Sequence, residues 1–490
     1  MAETRDGKVW LGTRDKGLFY MSEGKVVAVP IGLSDARINC LLAFGDNELW
    51  IGTDKGVLQW DGAKVSSVDV PLALRRLHVF SMIRDRDANI WLGTPGGLIR
   101  VNSGAALLDG SNSQSPVSVN ALLEDREGNL WAGRQSGVER LRDSAFVTYS
   151  AAGLQSESSG PVYVDQSERV WFAPFEGGLH WLKGEKSGSV PDDRLNQDVV
   201  YSIAGTKNDL WIGRQQGGLT HLHYAAGSLT TKTYTEADGL AQNSVYAVFQ
   251  SHDRGVWAGT LSGGVSQLVN GRFTNYTTAD GLVSNSVTSI AQTSDDTMWF
   301  ATPNGIAVLS GEHWRSLGIR DGLPSQTVNC LYTDASDILW IGTANGLAYQ
   351  ISGQIQVPTA VPPSLQEQIL GIAEDHLGWL WISTSNRVLR VKRESLLRNA
   401  LGEADVRQFG LHDGLHGTEG VKRQQSVFAD SHGKIWFSMN RGISVADPSR
   451  AIAVSAPAII HIEEVTSDGN PVSLDGPVHL TGAHRRLTFA

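Results

Sequence analysis

A tryptophan returns about every 40 residues along most of this chain, and that period constrains the fold more than any other feature. The series comprises Trp10, Trp50, Trp91, Trp131, Trp171, Trp211, Trp257, Trp299, Trp340, Trp381 and Trp436. A period of about 40 residues with strand-like composition is typical of β-propeller blades. The sequence therefore contains eleven blade-like units.

Each unit repeats the same order of segments. A short apolar segment such as VNCLYTD precedes a turn, and a tryptophan strand such as DILWIGT follows it. A glycine turn, a third strand, an outer strand and a loop containing Asp-Gly-Leu complete the unit. This order predicts four antiparallel strands per blade. The predicted fold is all-β, with tandem β-propellers of four and seven blades.

Small residues recur at two positions of the unit. One lies two residues after the tryptophan, and the other lies ten residues before it in eight units. Small side chains within a strand allow a neighbouring sheet to approach closely. Cys40 and Cys330 occupy the position ten residues before the tryptophan. This favours a role as small buried hydrophobic residues over a redox or metal-binding role.

Charge and motifs exclude several classes of function. The net charge of −10 argues against nucleic acid as a partner of this region, because phosphate binding needs a basic face. No apolar run is long enough to span a membrane. The sequence predicts no cofactor and no catalytic residue, because it contains no G-x-S-x-G, H-E-x-x-H or P-loop motif and no clustered C-x-x-C. His412, His416 and Glu419 form a local cluster, but they fall in the repeated loop, so no metal site is predicted.

Aspartates recur before the tryptophan strands, where they are interpreted as acceptors in turns and not as paired catalytic carboxylates. They are Asp85, Asp125, Asp165, Asp334, Asp375 and Asp430.

The loops TEADGLAQNSVYAV, TTADGLVSNSVTSI and GIRDGLPSQTVNCL, with the tryptophan strands that follow them, resemble the two-component regulator propeller family of bacterial sensors. Units 239–265, 281–306 and 322–347 match the family pattern closely. Residues 393–450 resemble its last blade, with a helical insert at RESLLRNAL. The tail from 454 is similar to the start of the tyrosine-rich, Ig-like module that follows the propellers.

The resemblance implies a domain division. It predicts a partial amino-terminal propeller at 1–145, a seven-bladed propeller at 146–453 and a truncated start of an Ig-like β-sandwich at 454–490. The segment FVTYS (146–150) is expected to be an outer strand that closes the ring, and Pro161 suits an interrupted strand. We expect the chain to be a piece of a longer sensor.

The resemblance also implies function. It predicts that this chain is the periplasmic, ligand-sensing region of a receptor. The intact receptor is expected to be a homodimer with a histidine kinase or a diguanylate cyclase as its output domain. The ligand is a small molecule, and the family favours an oligosaccharide. The alternatives are a protein-binding propeller scaffold and, less favoured, a propeller-fold lyase.

Polar residues at the start of the inner strands are candidates for ligand binding. Loops at the mouth of a propeller channel are free to vary, and amides, an arginine and a tyrosine there would suit a hydroxylated or acidic ligand. The alternative is that the asparagines only stabilise turns. The candidates are Asn243, Tyr246, Asn285, Gln326, Asn329, Arg423 and Gln425.

Overall fold

The computed structural model describes residues 1–29, 37–44, 46–67, 77–86, 88–102, 105–108, 117–141, 144–149, 159–174, 177–183, 186–206, 209–225, 228–449, 465–467, 470–472 and 487–489. By internal contacts the chain divides into two compact units. One comprises Met1–Asp143 with Ala453–Ala490, and the other is Ser144–Ile452.

The amino-terminal part of the first unit consists of antiparallel sheets formed by consecutive strands. The strands are β1 (Ala2–Glu3), β2 (Val9–Gly12), β3 (Leu18–Ser22), β4 (Lys25–Ala28), β5 (Ile38–Phe44), β6 (Glu48–Thr53), β7 (Gly56–Trp60), β8 (Val65–Ser67), β9 (Ser81–Arg84), β10 (Ile90–Thr94), β11 (Gly97–Asn102), β12 (Ala105–Leu108), β13 (Val119–Glu124), β14 (Leu130–Arg134) and β15 (Gly137–Leu141). They form four blades in chain order, β1–β4, β5–β8, β9–β12 and the three-stranded β13–β15.

The second unit contains seven four-stranded sheets. Its elements are β16 (Phe146–Tyr149), β17 (Ser159–Val164), β18 (Val170–Pro174), β19 (His180–Lys183), β20 (Lys186–Ser189), α1 (Asp193–Asn196), β21 (Val200–Gly205), β22 (Asp209–Arg214), β23 (Leu219–Ala225), β24 (Ser228–Tyr234), β25 (Val245–Gln250), β26 (Val256–Thr260), β27 (Val265–Val269), β28 (Arg272–Tyr276), β29 (Ser289–Gln292), β30 (Met298–Thr302), β31 (Gly305–Ser310), β32 (His313–Leu317), β33 (Val328–Thr333), β34 (Leu339–Thr343), β35 (Gly346–Ile351), β36 (Gln354–Gln356), β37 (Ile369–Glu374), β38 (Trp379–Thr384), β39 (Val388–Lys392), α2 (Arg393–Leu397), β40 (Val406–Phe409), β41 (Val427–Ala429), β42 (Ile435–Ser438) and β43 (Ile443–Ala446).

These sheets are numbered blades 5 to 11. Blades 5 to 10 are β17–β20, β21–β24, β25–β28, β29–β32, β33–β36 and β37–β40, and blade 11 is β41–β43 with β16 as its outer strand. Every tryptophan of the series lies on the second strand of its blade, as the repeat predicts. The helical insert of the last blade is also present, as α2.

Strand β16 closes the ring of the second unit. It pairs antiparallel with β43, where Phe146 lies opposite Ala446 and Tyr149 opposite Ile443. The inner strands of consecutive blades contact each other, and β17 of blade 5 contacts β41 and β42 of blade 11. The prediction that FVTYS closes the ring is confirmed. It also explains why the blade of Trp131 shows three strands and not four in the described residues.

The small residues of the repeat face each other across the first two strands. Cys330 on β33 lies opposite Gly342 on β34. A Cβ atom at Gly342 would lie 2.4 Å from the Cys330 Sγ and 2.8 Å from the Cγ2 of Ile369 on the next blade. Cys40 and Gly52 repeat the arrangement. The cysteine sulfur and a side chain of the next blade fill the space above each glycine. Both cysteines therefore have a structural role in packing.

Each recurrent aspartate joins a turn to a tryptophan. Asp334 accepts backbone N–H bonds from Ser336 and Ile338, at 2.8 and 2.9 Å, and the indole Nε1–H of Trp340 at 2.8 Å. The prediction that these aspartates are acceptors in turns is confirmed. The hydrogen bond from the indole explains why each aspartate lies six residues before its tryptophan. Equivalent bonds of 2.7–2.9 Å join Trp91 to Asp85, Trp131 to Asp125, Trp171 to Asp165, Trp381 to Asp375 and Trp436 to Asp430.

The Asp-Gly-Leu loops are compact crossovers between blades. In the first, the Asp238 carboxylate accepts the N–H of Thr235 at 2.8 Å. Gly239 then adopts a φ of 101°, which favours glycine. Leu240 is buried in the interface between blades 6 and 7. The crossover is therefore held by a hydrogen bond at its start and by a buried leucine at its end.

The carboxyl-terminal strands β44 (Val465–Ser467), β45 (Asn470–Val472) and β46 (Leu487–Phe489) form an antiparallel sheet in the order β45-β44-β46. Most of the predicted Ig-like segment 454–490 lies outside the described residues. That module and the division 1–145, 146–453 and 454–490 stay predictions.

Candidate functional site

Five of the seven inner strands of the second unit have a register irregularity close to their crossover ends. The pairing register shifts by one residue at Tyr201, Tyr246, Asn329 and Leu370. Pro161 lies within the corresponding irregularity of β17, as its interrupted position predicts. A bulge turns a side chain away from the ordinary alternation of a strand, and bulges are common next to functional sites.

Two bulged tyrosines and an arginine converge at the crossover end of the channel. The rings of Tyr201 and Tyr246 lie 4.6 Å apart. The Arg423 guanidinium carbon lies 4.5 Å from the Tyr201 ring centre and 5.6 Å from that of Tyr246. Tyr246 and Arg423 were predicted site residues, and Tyr201 joins them. We call Tyr201, Tyr246 and Arg423 the mouth cluster.

The arginine of the mouth cluster keeps hydrogen-bonding capacity. Its Nη1 donates to the Lys422 carbonyl oxygen at 3.0 Å, whereas its Nε is buried without a partner among the described residues. Burial raises the pKa of Tyr201, the nearby Tyr246 adds to this increase, and Arg423 opposes it. Burial lowers the pKa of the half-buried Lys422. Neither Arg423 nor Lys422 forms an ion pair within the described part of the chain. An anionic or polar ligand would therefore find an unused donor at Arg423.

Gln424 spans the channel. Its side-chain amide pairs with the backbone of Ile290, accepting the N–H at 3.1 Å and donating to the carbonyl at 3.0 Å. Gln424 precedes blade 11 and Ile290 belongs to blade 8, on the opposite side of a seven-membered ring. This pair, the Gln424 bridge, is buried and ties distant blades together.

We expect Gln424→Met to lower the free energy of unfolding by about 1–3 kcal/mol, because both backbone groups of Ile290 would stay buried without a partner. Amide hydrogen exchange at Ile290 would report the loss directly. The control is Gln354→Met on β36, an exposed position where the change should stay within about 0.5 kcal/mol. Unchanged protection of Ile290 would contradict the prediction.

The remaining predicted residues have other surroundings. The side-chain oxygens of Asn243 and Asn285 accept the N–H groups of Glu236 at 2.9 Å and Thr278 at 2.8 Å, inside their own crossovers. Asn329 donates from Nδ2 to the Ile369 carbonyl of the next blade at 3.0 Å. Gln326 is exposed. These four residues stabilise crossovers and blade contacts or face solvent, and they lie outside the mouth cluster.

Gln425 lies inside the channel, at a second cavity. It lines a space of about 490 Å³ at the hairpin end of the inner strands, together with Cys330 and Thr333. Burial raises the pKa of the Cys330 thiol to about 12, so this cysteine stays protonated. Among the described residues, no three His, Cys, Asp or Glu side chains are arranged to hold a metal ion.

A family model matches two of the blades. The model, described as "Two component regulator propeller", matches residues 281–304 and 322–345, which carry the second and third Asp-Gly-Leu crossovers and the strands after them. These blades are two-component regulator propeller repeats. No curated protein matches the chain by sequence.

Solved structures share the fold of these regulator propeller repeats. The extracellular domain of a hybrid two component system from B. thetaiotaomicron is 20% identical, with a TM-score of 0.72, over 100% of this chain and 66% of that domain. A second such domain, described as belonging to a one component system of the same organism, is 18% identical with a TM-score of 0.51 over 96% and 67%. The chain thus spans about two thirds of the length of these domains.

A virginiamycin B lyase from Staphylococcus aureus is also similar, at 13% identity and a TM-score of 0.48 over 61% of this chain and 98% of the lyase. A likeness of that size shows nothing about catalysis. No helix among the described residues is long and apolar enough to cross a membrane.

Proposed function

We propose that this chain is the extracytoplasmic, ligand-sensing region of a bacterial signalling receptor and that a small molecule binds at the mouth cluster. The observation that supports it is the convergence of Tyr201, Tyr246 and Arg423, with a buried guanidinium N–H that no described residue accepts. The sensor architecture of the structural relatives is consistent with this role.

The chemistry of the mouth cluster suits a hydroxylated or acidic ligand, such as an oligosaccharide. A guanidinium supplies planar paired donors for a carboxylate or for neighbouring hydroxyl groups. The tyrosine rings offer flat apolar surface and a phenolic hydroxyl. Because Arg423 carries a permanent positive charge, acidic sugars are the favoured members of this class.

The rest of the receptor belongs to the same proposal. The region would lie in the periplasm, form a homodimer in the intact protein, and relay ligand binding through an Ig-like module at 454–490 to a histidine kinase or diguanylate cyclase. The seven-bladed propeller of 146–453 would be the sensing domain, and 1–145 a partial propeller before it.

The test is a thermal-shift screen of the full chain against neutral and acidic mono- and oligosaccharides and organic acids. A ligand at 100 times its Kd should add about 2.7 kcal/mol of stability. We expect Arg423→Gln to weaken binding about 10- to 100-fold, because hydrogen bonds to a charged group are lost. The matched control is Arg441→Gln, an exposed arginine of blade 11.

Two results would contradict the proposal. If Arg441→Gln weakens binding as much as Arg423→Gln, the ligand does not bind at the mouth cluster. If no compound stabilises a chain shown to be folded, while a purified protein partner binds it, the chain is a protein-binding scaffold.

A further inference from the structure

The channel has a second end, whose chemistry differs from that of the mouth cluster. The cavity of about 490 Å³ is lined by the hairpin ends of inner strands from blades 7 to 11. Its volume lies within the range of about 300–1,000 Å³ that small-molecule sites occupy. Exposed lining residues in the hairpin turns, namely His252, Ser294 and Asp337, give it access to solvent.

The wall nearest the Gln424 bridge contains a strained residue. Gln425 has a φ of 55°, in the left-handed region that residues other than glycine rarely adopt. Its side-chain Oε1 is buried and has no hydrogen-bond partner among the described residues. Backbone strain of this kind persists where the surrounding structure enforces it, and it is concentrated at functional sites. Here it holds an unpaired amide oxygen at the cavity.

A second unpaired group belongs to the same cavity. The Oγ1 of Thr333, at the end of β33, is buried without a partner among the described residues. Buried polar groups in folded proteins usually have partners, so two unpaired groups in one cavity wall are available to a ligand. The pair offers an acceptor at Gln425 and a hydroxyl that can donate or accept at Thr333.

The lining of the cavity favours an uncharged ligand over an acidic one. No lysine or arginine lines it. Its aspartates are already engaged, Asp334 with Trp340 and Arg393 and Asp337 with the Ser294 hydroxyl and N–H. Lys422 acts electrostatically on the Cys330 thiol, but it does not line the cavity, so an anion here would have no lysine or arginine in the lining to pair with. Phe249, Phe428 and Tyr332 add aromatic surface of the kind that packs against a ring.

We propose that this cavity is a second ligand site, for an uncharged, hydroxyl-bearing ring compound such as a neutral sugar or a cyclic polyol. The ligand donates a hydroxyl to the Gln425 Oε1 and pairs another with the Thr333 hydroxyl. Because Arg423 and Gln425 flank the Gln424 bridge in sequence, ligands at the two ends of the channel act on one short segment.

The experiment measures Kd values of D-glucose, D-galactose, maltose and myo-inositol for the full chain by saturation-transfer NMR, with D-galacturonate as the charged counterpart. At least one neutral probe should bind, and galacturonate should not displace it. Thr333→Val and Gln425→Asn should each weaken that binding at least tenfold. Asparagine tolerates a positive φ better than glutamine does, so the second variant shortens the amide without adding strain.

A matched threonine separates a ligand contact from a structural one. Thr343 lies in the same blade, and its buried hydroxyl donates to the Gly346 carbonyl at 2.8 Å. Thr343→Val should lower the unfolding midpoint of the ligand-free chain by a few degrees and leave the affinity for the neutral probe unchanged. Thr333→Val should not lower the midpoint, since a methyl replaces an unpaired hydroxyl.

Three outcomes would overturn the cavity proposal. One is that no neutral probe binds at up to about 10 mM. Another is that neutral binding persists in both Thr333→Val and Gln425→Asn. A third outcome is that only D-galacturonate binds and that Arg423→Gln abolishes this binding. That result would overturn the cavity proposal and leave the function proposed at the mouth cluster intact.

Discussion

Replacing Phe146 by alanine is expected to lower the free energy of unfolding of the seven-bladed propeller by about 3–5 kcal/mol. Phe146 is 2% exposed. Its ring centre lies 5.2 Å from that of Phe409, 5.5 Å from Phe437 and 6.1 Å from Trp381. The variant would leave a cavity among three aromatic rings at the point where β16 closes the ring.

The measurement is denaturant unfolding of the full chain, followed by tryptophan fluorescence. Val147→Ala is the matched control, because Val147 is the next residue of β16 and is 53% exposed. We expect that change to stay within about 0.5 kcal/mol. Equal effects of the two substitutions would mean that β16 contributes through backbone pairing alone and that its side-chain contacts are dispensable.

The second large effect is expected for Asp375→Ala in blade 10, at about 3–5 kcal/mol of unfolding free energy. The Asp375 side chain is fully buried and accepts the Trp381 indole N–H at 2.8 Å. It also accepts the N–H groups of Leu377 and Trp379 and pairs with Arg390 at 3.2 Å. Alanine would leave a partly buried guanidinium and three donors without their acceptor.

Blade 11 supplies the comparison, since its equivalent aspartate has the same turn without the arginine. Asp430 accepts the N–H groups of His432 and Lys434 at 2.9 Å and the Trp436 indole at 2.8 Å, and it is half-buried. Asp430→Ala should cost about 1–2 kcal/mol. Thermal and denaturant unfolding of both variants measure the difference. A smaller loss for Asp375→Ala than for Asp430→Ala would show that the buried ion pair does not stabilise the fold.

The fold was largely predictable because its constraints are local and repeated. The tryptophan period predicts the blades, and a glycine after the tryptophan strand in ten of the eleven units predicts the turn. Gly218, for example, has a φ of 80° and no room for a Cβ, which would lie 2.1 Å from the Tyr234 carbonyl oxygen. Even the long-range partner of β16 followed from counting blades. A residue whose role repeats eleven times can be assigned from any one copy.

The site was less predictable because it depends on where the repeat is broken. Tyr201 occupies the same bulge position as Tyr246. Its blade lacks the Asp-Gly-Leu crossover that precedes Tyr246 and Arg423, so the repeat pattern does not mark it as a candidate. The Gln424 bridge joins residues 134 positions apart, and no local pattern encodes a contact across an axis. Asn243 and Asn285 were predicted as ligand-binding residues because they are polar, but their side-chain oxygens accept backbone N–H groups within the crossovers.

Ring closure by β16 has a consequence for synthesis on the ribosome. Phe146 leaves the ribosome about 300 residues before Ala446, its partner, a delay of about 15–60 s at bacterial elongation rates of about 5–20 residues per second. Throughout that interval the nearest available edge is β15, which has no outer partner in the described residues. If β16 first pairs with β15 in the nascent chain, that local hairpin has to open before β16 can pair with β43 and close the native ring.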